Sequence, residues 1–342
     1  MKRAGPIRPA ALRGPRSGWG PGPASGVTNL RYVPLHVTHY SDPHCPWAWS
    51  ASPALATLRW RYGSQLTWRH VMIGLTESRD VYASRGYSPG RSALGYRSFR
   101  NRGMPFSTQP REHLSGTWPA CRVVVATRRL APERELAVFR ALQFAQFTST
   151  LDLEDPADQR EAIAWVPGID PDAIVAAASE PETEELFAAD REEARSASGT
   201  PTEFQGKAAR YSSDDDRVRY TAPSLRFTTD DARALEAGGF QTIEAYDVLI
   251  ANLDTGLERR EPAQDAAEIL PEFPDGLTTA EVALIMTPNN GAPDLGAAED
   301  SLIALVAEGD AVRAPFGHDA LWLPATSPAV ATLRGDAVGA TA

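Results

Sequence analysis

The sequence predicts an α/β fold followed by a small C-terminal α+β domain, and three observations support this prediction. An apolar run at 33–40, a helical pattern at 46–62 and a β-rich run at 66–75 form a β-α-β unit, whose strands should lie parallel with a right-handed crossover. Apolar side chains then recur at helical spacing over residues 118–198. Residues 255–342 contain 14 Asp and Glu against 4 Lys and Arg, a balance of −10 that equals the net charge of the whole chain. This change in charge indicates a domain boundary.

The N-terminal residues 1–31 are rich in proline and glycine and carry six basic residues and no acidic one. They lack the apolar stretch of a secretory signal, so we predict a disordered basic arm, either simply solvated or in weak contact with an anionic surface. The chain has two cysteines, too few for a disulfide framework. It also has no run of about 18 apolar residues, which a membrane span would need. These features together predict a cytoplasmic protein that does not enter a membrane.

The middle of the chain is predicted to be helical, after a polar loop around Gly86, Pro89 and Gly90. The predicted helices are recognised by apolar residues at helical spacing or by an Asp-Pro pair at the helix start. They are 118–130, 132–148, 155–165, 170–179 and 182–198. Aromatic residues such as Phe139 and Phe144 recur at helical spacing and are therefore predicted to be core residues rather than part of a cofactor site. A charged surface loop is predicted at 210–219.

The segment after residue 254 divides into a linker, a folded part and a tail. Residues 255–274 are rich in proline and glutamate and are predicted to be the linker, and residues 331–342 are predicted to be a disordered tail. Residues 275–330 carry two predicted helices and then a predicted hairpin, the order of elements in a winged helix. The helices are predicted at 277–286 and 294–308, and the two strands at 311–314 and 320–323.

This winged-helix-like domain is not expected to bind nucleic acid. A helix that reads a DNA groove needs Lys or Arg side chains to neutralise phosphates. The second predicted helix has no basic residue and carries Asp294, Glu299, Asp300 and Glu308. We therefore expect the acidic domain to contact a protein partner or to pack against the rest of the chain.

Cys45 is the main candidate for a catalytic residue, because it lies between the first predicted strand and the first predicted helix. Pro46 suits the first position of a helix, which places Cys45 at the N-cap, close to unpaired backbone N–H groups. Such a position lowers a thiol pKa from about 8.5 into the range of about 3.5–7.5. His44 could add positive charge when protonated, and Trp47 and Trp49 could shelter the thiol. The alternative is an inert buried cysteine.

The segment Tyr40-Ser41-Asp42-Pro43-His44-Cys45-Pro46-Trp47 resembles the active-site region of DsbA-like thioredoxin-fold proteins, in particular the FrnE-type dithiol–disulfide isomerases and the adaptors related to them. The resemblance implies a thioredoxin-like domain over residues 32–254, with a helical insertion at about 110–200. These relatives usually read Cys-Pro-Trp-Cys, whereas Ala48 occupies the position of the second cysteine here. The resemblance therefore implies a monothiol variant of this site.

A second motif supports this resemblance. The segment Thr221-Ala222-Pro223-Ser224-Leu225-Arg226-Phe227 resembles the cis-proline element that faces the active-site cysteine in the family. A cis Pro223 would leave the main chain of Ala222 free to pair with a bound peptide or thiol, while a trans proline at a strand start is the alternative. Residues 244–253 resemble the closing helix of the family.

These observations predict a thiol–disulfide oxidoreductase or isomerase, or a thiol-dependent transferase, that uses Cys45 alone. Because Ala48 cannot resolve a mixed disulfide, an external thiol must do so, and a low-molecular-weight thiol is the expected co-substrate. The partner would be a protein or small molecule that carries a thiol or disulfide. The alternative function is a non-catalytic thioredoxin-fold adaptor that binds proteins through Trp47, Trp49 and the acidic domain.

No bound cofactor or metal is predicted. The sequence lacks the glycine-rich motifs that hold nucleotides. His36, His39 and His44 are close in sequence, but strand alternation separates His36 from His39 across two faces. Cys121 is predicted to be a buried helix residue, and a disulfide between Cys45 and Cys121 remains open from the sequence.

Overall fold

The computed structural model describes residues 34–210 and 217–333, which build three β-sheets and a set of helices around them. The strands are β1 (Leu35–Ser41), β2 (Leu66–Met72), β3 (Ala208–Arg210), β4 (Val218–Tyr220), β5 (Ser224–Thr228), β6 (Ala234–Gly238), β7 (Leu277–Thr278), β8 (Ala311–Phe316) and β9 (Asp319–Pro324). The helices are α1 (Pro46–Ser50), α2 (Ser52–Tyr62), α3 (Arg79–Ser84), α4 (Pro89–Phe99), α5 (Trp118–Leu130), α6 (Glu135–Thr148), α7 (Pro156–Ile163), α8 (Pro171–Ala177), α9 (Pro181–Ala194), α10 (Pro201–Phe204), α11 (Ile243–Leu253), α12 (Ala266–Ile269), α13 (Thr279–Ile285) and α14 (Leu295–Glu308).

The central sheet has the strand order β2-β1-β5-β6. Strands β1 and β2 pair in parallel, which confirms the predicted β-α-β unit, and β5 runs antiparallel to both β1 and β6. Val37 of β1 and Phe227 of β5 are buried in one cluster with Leu58 of α2 and Tyr246 of α11. The closing helix predicted at 244–253 is α11.

The helical insertion forms the largest core cluster of the described residues. Helix α5 has the predicted bounds, and its apolar side chains pack with those of α6 around Val124, Leu142 and Phe144. The helix predicted to start at residue 132 begins instead with a single 3-10 turn, Pro132–Arg134, before α6. Helices α7, α8 and α9 follow where Asp or Glu precedes a proline. Proline at the first helical position explains these starts, since its missing N–H has no partner to lose there.

The structure also differs from the prediction in the first helix and in the polar loop. The helix predicted over 46–62 is divided at Ala51 into α1 and α2, because Pro53 has no N–H to donate to the turn before it. The polar loop predicted around Gly86 and Gly90 contains the helices α3 and α4. Ser88 starts α4 by accepting a hydrogen bond from the Arg91 N–H, and Pro89 occupies the first turn. Gly86 and Gly90 lower the helix propensity of this segment, so the sequence does not clearly indicate the helix start at Ser88 and Pro89.

The C-terminal segment contains α12 within the predicted linker, then β7, α13, α14 and the hairpin β8–β9. Its three strands form an antiparallel sheet in the order β7-β9-β8. Thr278 caps α13 in a reciprocal arrangement with Glu281. Trp60 of α2 shares a core cluster with Leu277 and Trp322, so this segment belongs to the same compact unit as the central sheet. The domain boundaries themselves stay a prediction.

The predicted basic arm at 1–31, the acidic run Asp214-Asp215-Asp216 and most of the predicted tail lie outside the described residues. Within that tail, residues 331–333 are described, and they continue a short helix that begins at residue 329. Among the described helices, none combines the length and the apolar character needed to cross a lipid bilayer.

Candidate active site around Cys45

Cys45 lies where the chain passes from β1 into α1. It is the N-cap of α1, with extended backbone angles (φ −82°, ψ 113°), and Pro46 is the first helical residue, as predicted. The thiol makes no capping hydrogen bond to the helix. Instead, its Sγ donates to the carbonyl oxygen of Ala222 at 3.2 Å. The Ala222–Pro223 peptide bond is cis. The fold therefore brings together two motifs that are 177 residues apart in the chain.

The environment of the thiol favours its protonated form. Cys45 is 5% exposed, and this burial raises the pKa of the thiol to about 12. The backbone N–H groups of Ala48 and Trp47 lower the pKa, but the buried Asp42 carboxyl raises it further. The predicted low thiol pKa is therefore wrong for this conformation. The amides at the helix start are present as expected, but loss of hydration on burial outweighs them.

The neighbours of Cys45 differ in their exposure. His44 is buried, and desolvation together with Arg111 lowers its pKa to about 3, so the predicted positive charge on His44 is wrong. Trp49 is fully buried and donates its indole N–H to the Pro105 carbonyl at 2.9 Å, which makes it a core residue rather than a contact surface. Ala48 is also buried. Trp47 alone of these neighbours offers the predicted surface, since 41% of it is exposed.

Trp47 belongs to a partly exposed aromatic cluster. Its ring lies edge-on to Phe99 at 5.1 Å and to Phe240 at 5.9 Å between ring centroids. The guanidinium of Arg102 lies over the Trp47 ring, 4.3 Å from its centroid, and is 5.1 Å from the centroid of the Phe240 ring. A surface of this kind, with aromatic rings packed edge to face and one arginine, is suited to contact another molecule beside the thiol.

Asp42 organises the loop before Cys45, a role that was not predicted from the sequence. Its carboxylate accepts hydrogen bonds from the backbone N–H of His44 and of Leu75, each at 2.8 Å. These bonds hold the active-site loop against the chain that follows β2. Burial raises the pKa of Asp42. An Asp-Pro pair directly after a strand is the sequence signal that could have indicated this turn.

Cys121 is a fully buried residue of α5, as predicted. Its Sγ lies 3.6 Å from Oδ2 of Asp42. Burial is the main cause that raises the pKa of this thiol as well, and the charge of Asp42 raises it further. Cys45 and Cys121 are both free, so the disulfide that the sequence left open is not formed in this structure.

A cavity of about 290 Å³ opens beside His44 and Pro46. The helices α3 and α4 supply aromatic side chains to it, and Arg111 supplies positive charge; among the lining residues are Tyr82, Tyr96, Phe99 and Gln146. Arg111 donates to the Gln146 side chain at 2.7 Å, and Gln146 donates to the Tyr96 hydroxyl at 3.0 Å. This wall was not predicted, because the sequence indicates a loop where α3 and α4 lie.

The histidines near the site do not gather around a common point. The ring of His36 pairs with Asp230 at 2.9 Å on the surface, whereas His39 is buried against His70 and Phe139. Within residues 34–210 and 217–333, no group of three or more His, Cys, Asp or Glu side chains could hold a metal ion.

Comparison with known proteins identifies the domain. The profile of the DSBA-like thioredoxin domain matches residues 36–220, more than half of the 342 residues. No curated protein matches the chain.

Similar solved structures include a proposed protein disulfide isomerase from Nitrosomonas europaea, which is 19% identical with a TM-score of 0.48 and aligns over 64% of this chain and 97% of that one. A probable DsbA oxidoreductase from Streptomyces coelicolor is 17% identical with a TM-score of 0.46, and it aligns over 68% of this chain and 94% of that one. The cytosolic disulfide reductase DsbM from Pseudomonas aeruginosa is 19% identical, with a TM-score of 0.43 and coverage of 64% and 97%.

Proposed function

The chain belongs to the DSBA-like thioredoxin domain family, and on that premise we propose that Cys45 exchanges disulfides as a single thiol. The observation that carries this proposal is the position of Sγ, which lies at a helix start and 3.2 Å from the Ala222 carbonyl beside Pro223. A substrate chain that pairs with the main chain of Ala222 would bring its own sulfur to Cys45.

The absence of a second cysteine at position 48 determines the reaction sequence. The Cys45 thiolate attacks one sulfur of a substrate disulfide, forms a mixed disulfide and releases the other sulfur as a thiolate. An external thiol, deprotonated, then attacks the substrate sulfur of the mixed disulfide. A new disulfide forms between the external thiol and the substrate, and Cys45 leaves as a thiolate. Each step exchanges one disulfide for another, so no further oxidant or reductant is needed.

Deprotonation of Cys45 requires that its burial be relieved. In the described conformation Sγ–H donates to Ala222, and burial holds the thiol pKa near 12. When the sulfur becomes hydrated, the N–H groups of Ala48 and Trp47 remain beside it and favour the thiolate. We therefore expect exchange to occur in an opened state of the site.

The substrate is proposed to be a protein or small molecule that carries a disulfide. The cavity beside His44 and Pro46, about 290 Å³ in volume, supports a small-molecule thiol as co-substrate. The exposed cluster around Trp47 supports contact with a larger partner. A reaction that consumes low-molecular-weight thiols suits a reducing compartment, which supports a cytoplasmic location.

A second candidate function is a non-catalytic adaptor, and the burial of Cys45 specifically favours it. In this case the Trp47 cluster would bind a protein, and the C-terminal segment would add a second contact. The order of α13, α14 and the hairpin β8–β9 supports a winged-helix-like module there. Helix α14 exposes Leu295, Ile303 and Val306 next to acidic side chains, which suits a protein partner better than nucleic acid.

Trapping of a mixed disulfide separates the two functions. The reduced protein is incubated at pH 8 with glutathione disulfide, the adduct on each cysteine is measured by mass spectrometry, and release by added dithiothreitol is followed. Exchange predicts an adduct on Cys45 of the native protein that an external thiol removes, and no adduct in Cys45→Ser. If native Cys45 stays unmodified while the urea-unfolded chain reacts, the exchange function is wrong and the adaptor is favoured.

A further inference from the structure

A second cavity, about 310 Å³ in volume, lies among α2, α6 and the chain that leads into β7. It shares no lining residue with the cavity beside Cys45. Ala56, Arg59 and Trp60 of α2 form one wall, and Leu136 and Arg140 of α6 form another. The segment 272–277, together with Gly63 and Arg260, completes it.

The charged groups of this cavity are paired with one exception. Arg140 is paired with the fully buried Glu281 at 3.0 Å, and Arg260 with Glu272 at 3.3 Å. Asp275, the other carboxylate of the lining, is paired at 2.7 Å with Arg134, which lies outside the lining set.

Arg59 is the exception. Its guanidinium forms no ion pair with a carboxylate among the residues that the structure describes, and its buried Nη2 has no hydrogen-bond partner there. Its Nη1 donates to the Leu55 carbonyl at 3.3 Å, and the group rests on the Trp68 ring at 4.2 Å. Burial is the main cause that lowers the pKa of Arg59 to about 9, and the charge of Arg140 adds to it, while the charge of Glu281 offsets only part of this effect.

A buried cation without a counter-ion is costly, and it becomes stable when an anion is bound beside it. The lining carries one unpaired positive charge, that of Arg59, because every other arginine of the lining has its own carboxylate. A dianion would leave an excess negative charge near Glu272 and Asp275. The apolar part of the lining, with Trp60, Leu136 and Phe273, suits a hydrocarbon or aromatic group attached to the anion.

We propose that this cavity binds a small organic monocarboxylate, whose carboxylate pairs with the Arg59 guanidinium while its apolar part packs against Leu136 and Phe273. The planar guanidinium can hold a carboxylate with two parallel hydrogen bonds. The cavity volume of about 310 Å³ is at the lower end of the range for small-molecule sites, which fits a ligand the size of benzoate. The proposal does not depend on the function of Cys45.

Isothermal titration calorimetry of the full chain at constant ionic strength tests the site. The probes are benzoate, acetate, inorganic phosphate and the uncharged benzyl alcohol. We expect one saturable site for benzoate, weaker binding of acetate, and at least about tenfold weaker binding of benzyl alcohol and phosphate, since a charge-assisted pair is lost or mismatched. Benzoate should also raise the thermal unfolding temperature.

Three variants locate the binding. Arg59→Met should weaken benzoate binding at least about tenfold, whereas Arg97→Met, which removes an exposed arginine of α4, should leave it unchanged. Leu136→Phe should block the cavity while keeping the Arg59 charge, so it tests the site even if Arg59→Met does not fold.

Absence of saturable benzoate binding to the wild-type chain would overturn the proposal. Equal binding by wild type and a folded Arg59→Met variant would overturn it as well, as would a Leu136→Phe variant that binds benzoate with unchanged affinity.

Discussion

The protonation state of Cys45 gives the sharpest prediction. Burial raises the pKa of this thiol from 9.0 to about 12. At pH 8 the folded chain should therefore hold about a thousandfold less thiolate on Cys45 than the unfolded chain, since each tenfold change corresponds to one pH unit. Alkylation proceeds through the thiolate, so its rate at Cys45 should fall by at least the same factor on folding.

The assay is alkylation by iodoacetamide between pH 6 and 10, in buffer and in urea, with each cysteine followed by mass spectrometry. Cys121 serves as an internal control, because it is fully buried and should stay unlabelled as long as the chain is folded. An apparent pKa at or below about 8.5 for Cys45, with Cys121 protected, would show that the helix-start amides outweigh burial and would refute the reasoning.

The same shift sets the alkaline stability of the protein. The folded state favours the protonated Cys45 thiol, so this contribution is complete below the unfolded pKa and is lost as the pH rises from about 9 toward 12. Cys45→Ala should therefore show a smaller decrease in the free energy of unfolding between pH 8 and pH 10 than the wild-type chain. A decrease of equal size in both proteins would contradict the assignment of this titration to Cys45.

Three further predictions follow from the site and the core. Ala48→Cys should form a disulfide with Cys45 on oxidation, seen as a loss of two hydrogens by mass spectrometry; failure to form it would contradict the placement of both residues at the start of α1. His44 is held neutral with a pKa of about 3, so the folded state loses stability as the pH falls below about 6.5, by about 2 kcal/mol at pH 5. His44→Leu should remove this part of the acid sensitivity, which urea titrations at pH 5 and 7 would measure. Asp247→Ala should lower the free energy of unfolding by about 3–5 kcal/mol, because it leaves the buried Arg61 without its carboxylate; a change below about 1 kcal/mol in chemical denaturation would show that the pair is not structurally important.

Much of the fold could be predicted because local patterns specify it. The apolar run of β1, the periodicity of α5 and the Asp-Pro starts of α7 and α8 are each contained in a few consecutive residues. The helices α3 and α4 were not predicted, since Gly86, Gly90 and Gly95 weaken the local signal and packing over the site compensates for it. Their side chains form the cavity wall beside Cys45, so that part of the site was missed with them.

The position of Cys45 at a helix start and the absence of a second cysteine at Ala48 were determined by the sequence alone, because Pro46 and the neighbouring strand are local features. Only the tertiary structure decided the charge of the thiol. Desolvation depends on every group packed around an atom, and those around Cys45 include Tyr220 and Ala222, which are far away in the chain. The same holds for Arg59, whose lack of a counter-ion among the described residues depends on where α6 and the C-terminal segment pack. Sequence periodicity specifies which residues turn inward, and tertiary packing decides which of them remain charged.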